Sequence, residues 1–302
     1  MAGERGMRQK AAPGATAIAK ALAAIVPPKS DTAQKSYRKI LEQEINEGMR
    51  ELQRPTLGLL ISGLSAGLDV SFSVLVMSVV LSWSQGLSTP KREILLAAAY
   101  AIGYILVIMG RSELFTEHTT RSVYPVLHGD ASVLKLARLW CIVYISNLAG
   151  CAAFAKVITI IGPPLNVVQP WSLGYLAHNL VAHTGWVLFV SAILAGWMMG
   201  LLSWLVTAGR DSIGQIAIVA LITGTIGICH LPHCVVGTTE VLAGYLSGQG
   251  ITFAQFAHFL LWATLGNACG GIVFVALIKY GHVMNTTEDP EYVELEAPPA
   301  AE

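Results

Sequence analysis

The strongest constraint on the fold of this chain is an apolar segment that breaks before it can cross a bilayer. The apolar run at 216–226 is shorter than the ~20 residues that a spanning helix needs, and 227–246 follows it with the sequence GICHLPHCVVGTTEVLAGYL. Helix is predicted to unwind here and to resume near Thr238, because proline lacks a backbone donor and glycine allows non-helical dihedral angles. The residues responsible are Gly224, Gly227, Pro232 and Gly237. Such backbone is tolerated at membrane depth only where protein or a watery cavity surrounds it.

Composition places the chain among polytopic membrane proteins. Hydrophobic residues make up 54% of the sequence and charged residues only 13%, with a mean hydropathy of +0.58. The formal net charge of zero hides an asymmetry, since 10 of the 19 lysines and arginines precede residue 55. This distribution argues against nucleic-acid binding and indicates an oriented membrane protein in a lipid bilayer.

Hydropathy divides the chain into four parts. We predict a disordered cytoplasmic tail (1–31), an amphipathic interfacial helix (32–54), a transmembrane transporter or channel domain (55–282) and a second disordered cytoplasmic tail (283–302). Six passages are predicted, near 56–82, 93–126, 138–161, 185–207, 214–246 and 253–280. Basic residues concentrate on one side of these passages, which predicts that both termini are cytoplasmic and that the chain spans the plasma (inner) membrane.

A second break and a matching motif order predict internal symmetry. Residues 110–120, GRSELFTEHTT, place four ionisable side chains within the second passage. The segment 62–67 resembles 191–196, and 146–151 resembles 266–271. The fold class is therefore an all-α membrane protein built from two inverted three-helix repeats with broken second and fifth helices. Broken helices at equivalent positions of inverted repeats indicate a binding site near the midplane.

Three motifs in order resemble the formate/nitrite transporter family. They are Leu114-Phe115-Thr116 in the second passage, 233–237 (HCVVG) with Glu240 in the fifth, and Asn267 before two glycines in the sixth. The resemblance covers roughly residues 35–282. It implies a homo-pentamer of aquaporin-like protomers, each with its own pore for small monovalent anions such as formate, nitrite, hydrosulfide or lactate. Close packing of helices in such a ring is allowed by faces of small residues, at Gly58, Ser62, Ala66, Gly196 and Gly200.

The resemblance also implies roles for individual residues. His233 corresponds to the pore histidine, 114–116 to the loop that forms and gates a constriction, and Asn267 to a polar residue of the sixth passage. Thr116 and Thr238 supply hydroxyl groups to the pore. The sequence departs from many family members at Pro232 and Gly237, and it is similar to a divergent branch whose fifth-passage loop reads His-x-Val-x-Gly-x-x-Glu.

Other polar residues in the passages have two open interpretations, as supports of the loops or as proton-handling groups. These residues are Asp69, Arg111, Glu117, Asn147 and Glu240. For Asp69, a pair with Arg111 or a bond to a neighbouring serine is weighed equally with proton handling, because a lone carboxylate at that depth must be paired, protonated or hydrated. His230 is interpreted as structural.

Three functions remain open on the sequence. The leading one is a channel or proton-coupled transporter of formate- or nitrite-like weak-acid anions, in which a histidine protonates or stabilises the anion. The second is an aquaporin-like pore for a small neutral solute. The third is a membrane-embedded metal or redox site formed by Cys229, His230, His233 and Cys234, whose crowding around one proline disfavours convergence on a metal. No enzyme motif and no cofactor motif is found, so we expect neither catalysis nor a cofactor.

Overall fold

The computed structural model of the chain describes residues 35–286, and within them all regular structure is helical. The predicted all-α class is confirmed. The thirteen α-helices of this part are α1 (Tyr37–Gln53), α2 (Thr56–Val70), α3 (Phe72–Trp83), α4 (Thr89–Gly110), α5 (Phe115–Arg121), α6 (Tyr124–His128), α7 (Val133–Ile161), α8 (Pro170–Val181), α9 (Gly185–Ala208), α10 (Ser212–Ile228), α11 (Val236–Leu246), α12 (Phe253–Cys269) and α13 (Ile278–Met284). A π-helical segment, Gly270–Leu277, joins α12 to α13. The predicted tail 1–31, and 287–302 of the second tail, lie outside the described residues.

Five helical stretches of the described chain are long and apolar enough to cross a bilayer. They are Thr56–Trp83, Thr89–Gly110, Val133–Ile161, Gly185–Ala208 and Phe253–Met284, whereas the apolar α10 is shorter. The second and fifth passages are broken as predicted. Helix α4 stops at Gly110 before α5 starts at Phe115, and α10 stops at Ile228 before α11 starts at Val236.

The fifth-passage break is narrower than the sequence predicted. Helix continues through Gly224 and Gly227, and it resumes two residues before Thr238, so that Gly237 lies inside α11. The turn is made instead by His230, whose φ is 50°. The amide of His230 donates to the Gly227 carbonyl and the next amide, of Leu231, donates to Ile226, each at 3.1 Å. This is a Schellman-type end in which histidine takes the position that glycine usually occupies.

The second passage ends in the same way. Arg111 has a φ of 55°, its amide donates to Ile108 at 3.3 Å, and the Ser112 amide donates to Val107 at 3.1 Å. Arg111 and His230 are thus equivalent residues of two repeats. A left-handed conformation costs a side chain of this kind about 1–2 kcal/mol, so glycine is not required where the flanking hydrogen bonds fix the turn.

Glycine contacts show that the predicted motif pairs occupy equivalent positions. Gly67 packs against the backbone of Asn147, and Gly196 packs against the backbone of Asn267. A Cβ at either glycine would collide with that backbone. Gly150 and Gly270 are equivalent in the same way, because Gly150 packs against the backbone of Leu64 and Gly270 packs against the backbone of Ile193. Each repeat therefore crosses its first and third helices at a glycine from each helix.

The small-residue faces that we assigned to contacts between protomers lie largely within one protomer. Ala66 is fully buried, Gly196 packs on α12, and Gly200 packs against Thr120 and Val275. The Ser62 hydroxyl accepts a hydrogen bond from the Glu113 amide at 3.2 Å. Small residues favour close approach of any two helices, so the pattern alone does not separate internal from external contacts.

Two elements beside the passages were not predicted in this form. Helix α8 lies in the connection 162–184 and packs against α11. Helix α1, within the predicted interfacial segment, buries a carboxylate along with its apolar stripe, because Glu44 is fully buried. Ser203 and Thr207 donate to Glu44, and Arg121 pairs with it at 3.4 Å. Helix α1 is therefore fastened to α5 and α9 by polar contacts.

Candidate functional site

The two broken passages meet at a buried hydrogen bond between Thr116 and His233. Thr116 is the second residue of α5, and His233 lies in the loop before α11. The Thr116 Oγ1 and His233 Nε2 atoms are 2.8 Å apart, with Thr116 fully buried and His233 1% exposed. Residues 117 positions apart in sequence therefore form the centre of the molecule.

The hydrogen bonds of His233 assign its neutral tautomer. The Val236 amide donates to Nδ1 at 3.4 Å, so Nδ1 is the acceptor. The proton then lies on Nε2, which donates to the Thr116 hydroxyl. The Tyr104 ring meets the imidazole edge-on, with 5.3 Å between ring centroids. Protonation of Nδ1 would break the contact with the Val236 amide, so the loop favours a neutral imidazole.

Two asparagines hold the two breaks in equivalent ways. The Asn147 Oδ1 accepts from the Phe115 amide at 2.9 Å, and its Nδ2 donates to the carbonyls of Gly63 and Glu113 at 2.8 and 2.9 Å. In the other repeat, Oδ1 of Asn267 accepts from the Cys234 amide at 2.8 Å. Its Nδ2 donates to the carbonyls of Ala192 and Pro232, each at 2.9 Å. Both amide groups are fully buried and are occupied by backbone partners.

The other predicted pore residues are buried next to this centre. Leu114 is fully buried and Phe115 is 5% exposed. The Phe115 ring packs against Tyr144 and Trp140, with centroids 4.7 and 6.1 Å away. The Thr238 hydroxyl donates to the Cys234 carbonyl at 2.7 Å. Leu114 and Phe115 therefore place buried apolar side chains directly before Thr116, and Thr238 is tied to the loop that carries the histidine.

A polar network supports the second-passage break from the side of α1. Glu113 bonds both Arg54 and His118, and Glu117 pairs with Arg121 at 2.7 Å. These links include Glu117, whereas Arg111 is exposed, and no hydrogen bond or ion pair joins it to another side chain in the described part of the chain. Sequence reasoning missed Arg54, which precedes the first passage and gave no signal of a partner 59 residues away.

Glu51 belongs to the same network and lies outside the passages. Arg54 donates to its carboxylate at 3.2 Å. Burial, together with the neighbouring Glu113 carboxyl, raises the pKa of Glu51 to about 7. Helix α1 therefore carries a carboxyl group whose charge changes close to neutral pH.

Asp69 has the serine partners that we considered for it. The Ser65 hydroxyl donates to its Oδ2 at 3.0 Å and the Ser112 hydroxyl at 3.3 Å. No ion pair with Arg111 occurs among residues 35–286. Asp69 thus ties the end of α2 to the second-passage break.

A cavity opens beside α11. It has a volume of about 40 Å³ and is partly open to the outside. Glu240 and His230 both line it. His230 is half exposed and pairs with Glu93 at 3.3 Å. The sequence predicted neither this cavity nor the pair with Glu93.

The four residues of the proposed metal site do not converge. Cys229 and His230 are exposed, whereas His233 and Cys234 are buried. Across residues 35–286, no group of three or more His, Cys, Asp or Glu side chains is arranged to hold a metal ion.

These features define a class of protein. Inverted repeats with broken helices, whose breaks meet inside the protein, are the architecture of membrane channels and carriers. The sequence model described as "Formate/nitrite transporter" matches residues 38–281. The chain belongs to the formate/nitrite transporter family.

Individual proteins agree with this family. The chain is 29% identical to inner membrane protein YfdC of Escherichia coli (strain K12), covering 82% of this chain and 79% of that protein. It is 26% identical to the nitrite transporter NirC of Salmonella typhimurium (strain LT2), covering 81% and 90%. A solved pentameric formate channel with formate bound shares the fold, with a TM-score of 0.66 and 20% identity over 76% of this chain and 98% of that one.

Proposed function

We propose that this protein conducts small monovalent weak acids, of the formate and nitrite kind, across the membrane. The observation that carries the proposal is the buried Thr116–His233 hydrogen bond at the meeting point of the two breaks. Membership of the formate/nitrite transporter family supports the solute class. Like other family members, the protein acts as a channel or carrier and not as an enzyme.

His233 supplies the chemistry in this proposal. A small anion that enters an apolar constriction loses its hydration, which costs several kcal/mol for a charge. Its neutral acid loses far less. An anion next to His233 stabilises the imidazolium, and the imidazolium in turn stabilises or protonates the anion. Thr116 holds Nε2 in place, while Leu114 and Phe115 exclude water on one side.

The proposal extends to topology and assembly. The fifth passage is completed by α10 and α11 together, which gives six passages with both termini in the cytoplasm. The excess of basic residues before residue 55 supports this orientation, and the name of the inner membrane relative supports the inner membrane as its place. A homo-pentamer with one pore per protomer is supported by the pentameric formate channel. Asn147 and Asn267 hold the breaks, and the 114–116 segment gates the pore.

The test is weak-acid flux into liposomes that contain the purified full chain. Formate, nitrite, hydrosulfide and lactate are compared with glycerol, because a pore for neutral solutes passes glycerol as well. At a fixed external concentration of neutral acid, wild-type flux should rise as the external pH falls, because acid favours the imidazolium that stabilises or protonates the anion. His233→Asn should flatten this dependence, because asparagine bonds the loop but does not titrate there.

His258→Asn provides the matched control, since this histidine lies on an exposed face of α12. The control should keep the wild-type profile. The role of His233 is refuted by superimposable pH profiles of wild type and His233→Asn, provided that both variants are folded and have the same oligomeric state.

A further inference from the structure

One carboxyl group faces the cavity beside α11 without a partner. Glu240 is 7% exposed, and it lines the cavity. Among residues 35–286, no hydrogen bond or ion pair is made to its carboxyl oxygens. Burial without a paired cation favours the neutral form of a carboxyl group, which carries a hydroxyl proton. Because buried polar groups are nearly always satisfied, this donor indicates a ligand in the cavity.

Every polar side chain that lines the cavity can donate a hydrogen bond. Besides Glu240 these are Tyr100, Tyr175, Asn179 and His230, and the rest of the lining is leucine, isoleucine, methionine and glycine. Within the part of the chain that the structure describes, the side chains of Tyr175 and Asn179 make no hydrogen bond. A mainly apolar pocket with donors on its polar wall suits a small solute that only accepts hydrogen bonds, as a carboxylate or nitrite does.

The charged groups around the cavity carry no excess of negative charge. His230 pairs with Glu93 at 3.3 Å, and the Arg92 guanidinium lies over the Tyr175 ring, 5.5 Å from its centroid. The charges of Arg92 and Glu93 cancel, and protonation of His230 adds a positive charge. With Glu240 neutral, these groups do not repel an anion, and the donors of the wall offset part of its lost hydration.

The size of the cavity limits the solute. Its volume is about 40 Å³, whereas one water molecule occupies about 10–15 Å³ of such a volume. The cavity therefore holds roughly three water-sized groups, which matches formate or nitrite. It also lies near the centre of the molecule, because the Tyr100 hydroxyl is 3.1 Å from that of Tyr104, whose ring meets His233 edge-on.

We propose that this cavity binds small anions of the formate and nitrite kind, and that the neutral carboxyl of Glu240 donates the hydrogen bond that holds them. Formic and nitrous acids are stronger acids than a carboxyl buried in an apolar cavity, so the proton stays on Glu240 when the two share it. A hydrogen bond from a hydroxyl to an anion is short and strong. The inference rests on the proposed function and adds a site that holds the charged anion two tyrosine side chains away from His233.

The test compares two variants of Glu240 that differ in hydrogen bonding. Initial rates of formate uptake into liposomes containing the full chain are measured against formate concentration at one fixed pH, and rates in protein-free liposomes are subtracted. Glu240→Leu keeps the bulk but donates nothing, so it should raise the half-saturating concentration by about tenfold or more. Glu240→Gln, whose amide still donates, should stay within about threefold of wild type.

Other results contradict the inference in distinct ways. A folded Glu240→Leu that saturates like wild type shows that the carboxyl does not hold the solute. Equal rises in both variants show that the carboxyl acts as an acceptor, for a cation or an undissociated acid. Lower half-saturating concentrations in both variants show an ionised carboxyl that repels the anion. Each result leaves the proposed function intact, whereas absence of protein-dependent weak-acid uptake in wild type overturns the proposed function itself.

Infrared difference spectra of the protein in lipid give an independent readout of binding, and they decide the case in which Glu240→Leu does not fold. Replacing gluconate, which is too large for the cavity, by formate should shift the C=O stretching band of a protonated carboxyl in wild type. This change should be absent from Glu240→Gln. A wild-type spectrum without a carboxyl difference band, or the same band in Glu240→Gln, overturns the inference whatever the uptake rates are.

Discussion

At the residue scale, the site depends on two side-chain amides that replace missing helical hydrogen bonds. Each break leaves backbone groups without intrahelical partners. Asn147 and Asn267 each satisfy one amide and two carbonyls of their own repeat. Asparagine suits this position because it offers an acceptor and two donors on one short planar group. Thr116 and His233 are held within hydrogen-bond distance as a result.

Removing either amide should destabilise the fold. Asn147→Leu and Asn267→Leu keep the volume but leave two buried backbone groups of each break unpaired, one amide and one carbonyl, at about 1–3 kcal/mol each. We expect each variant to lose at least ~2 kcal/mol, seen as a lower melting temperature of the protein in detergent. Asn46→Leu, on the exposed face of α1, is the control and should melt like wild type. Equal melting of all three variants contradicts the assignment.

At the element scale, the sequence predicted where helices break better than how they end. Pro232 and the charged run 110–120 located both breaks, because hydropathy and a missing donor are local properties. The left-handed residues Arg111 and His230 were not predicted, since tertiary contacts fix them and local propensity favours glycine. The interruption at Ser71 was missed for the same reason: its hydroxyl donates to Gly67 at 2.6 Å and meets Thr239 at 2.7 Å, 168 residues away.

The packing of helix α1 can be tested through the pH dependence of the protein's stability. The pKa of Glu51 is about 7 in the folded chain and 4.5 ordinarily, so folding favours its protonated form. The associated stability is fully present below pH 4.5 and is lost as the pH rises through 7. Glu51→Gln lacks this loss. The melting temperature of Glu51→Gln minus that of wild type should therefore increase as the pH rises from 4.5 to about 7.

Exposed Glu42 on the same helix supplies the control for this measurement. Glu42→Gln should follow wild type at every pH, since its carboxylate is in solvent in both states. A constant difference between Glu51→Gln and wild type over the interval argues that Glu51 titrates normally.

At the scale of the whole molecule, the repeats explain why the site lies where it does. Equivalent ties by Asn147 and Asn267 bring two loops toward each other from opposite sides. The symmetry is incomplete at the centre. Leu114 precedes Phe115, whose amide donates to Asn147, and His233 precedes Cys234, whose amide donates to Asn267. Equivalent positions therefore carry leucine in one repeat and histidine in the other. The residue pair differs in chemistry while the scaffold is shared. The sequence revealed the scaffold through its motif pairs, but the Thr116–His233 contact required the structure.

The last prediction concerns assembly. Large apolar side chains are exposed along α2, where Leu57, Ile61 and Leu64 are 67%, 61% and 41% exposed. Such a face needs lipid or another protomer to cover it. If each protomer holds its own pore, a closed ring places protomers side by side without contributing to the site. Native mass spectrometry in mild detergent should therefore find five copies of the 32.2 kDa chain, about 161 kDa. His233→Asn should assemble identically, because His233 is 1% exposed inside one protomer. A monomer or dimer that persists across several detergents contradicts the ring, and it leaves the pore within one protomer unaffected.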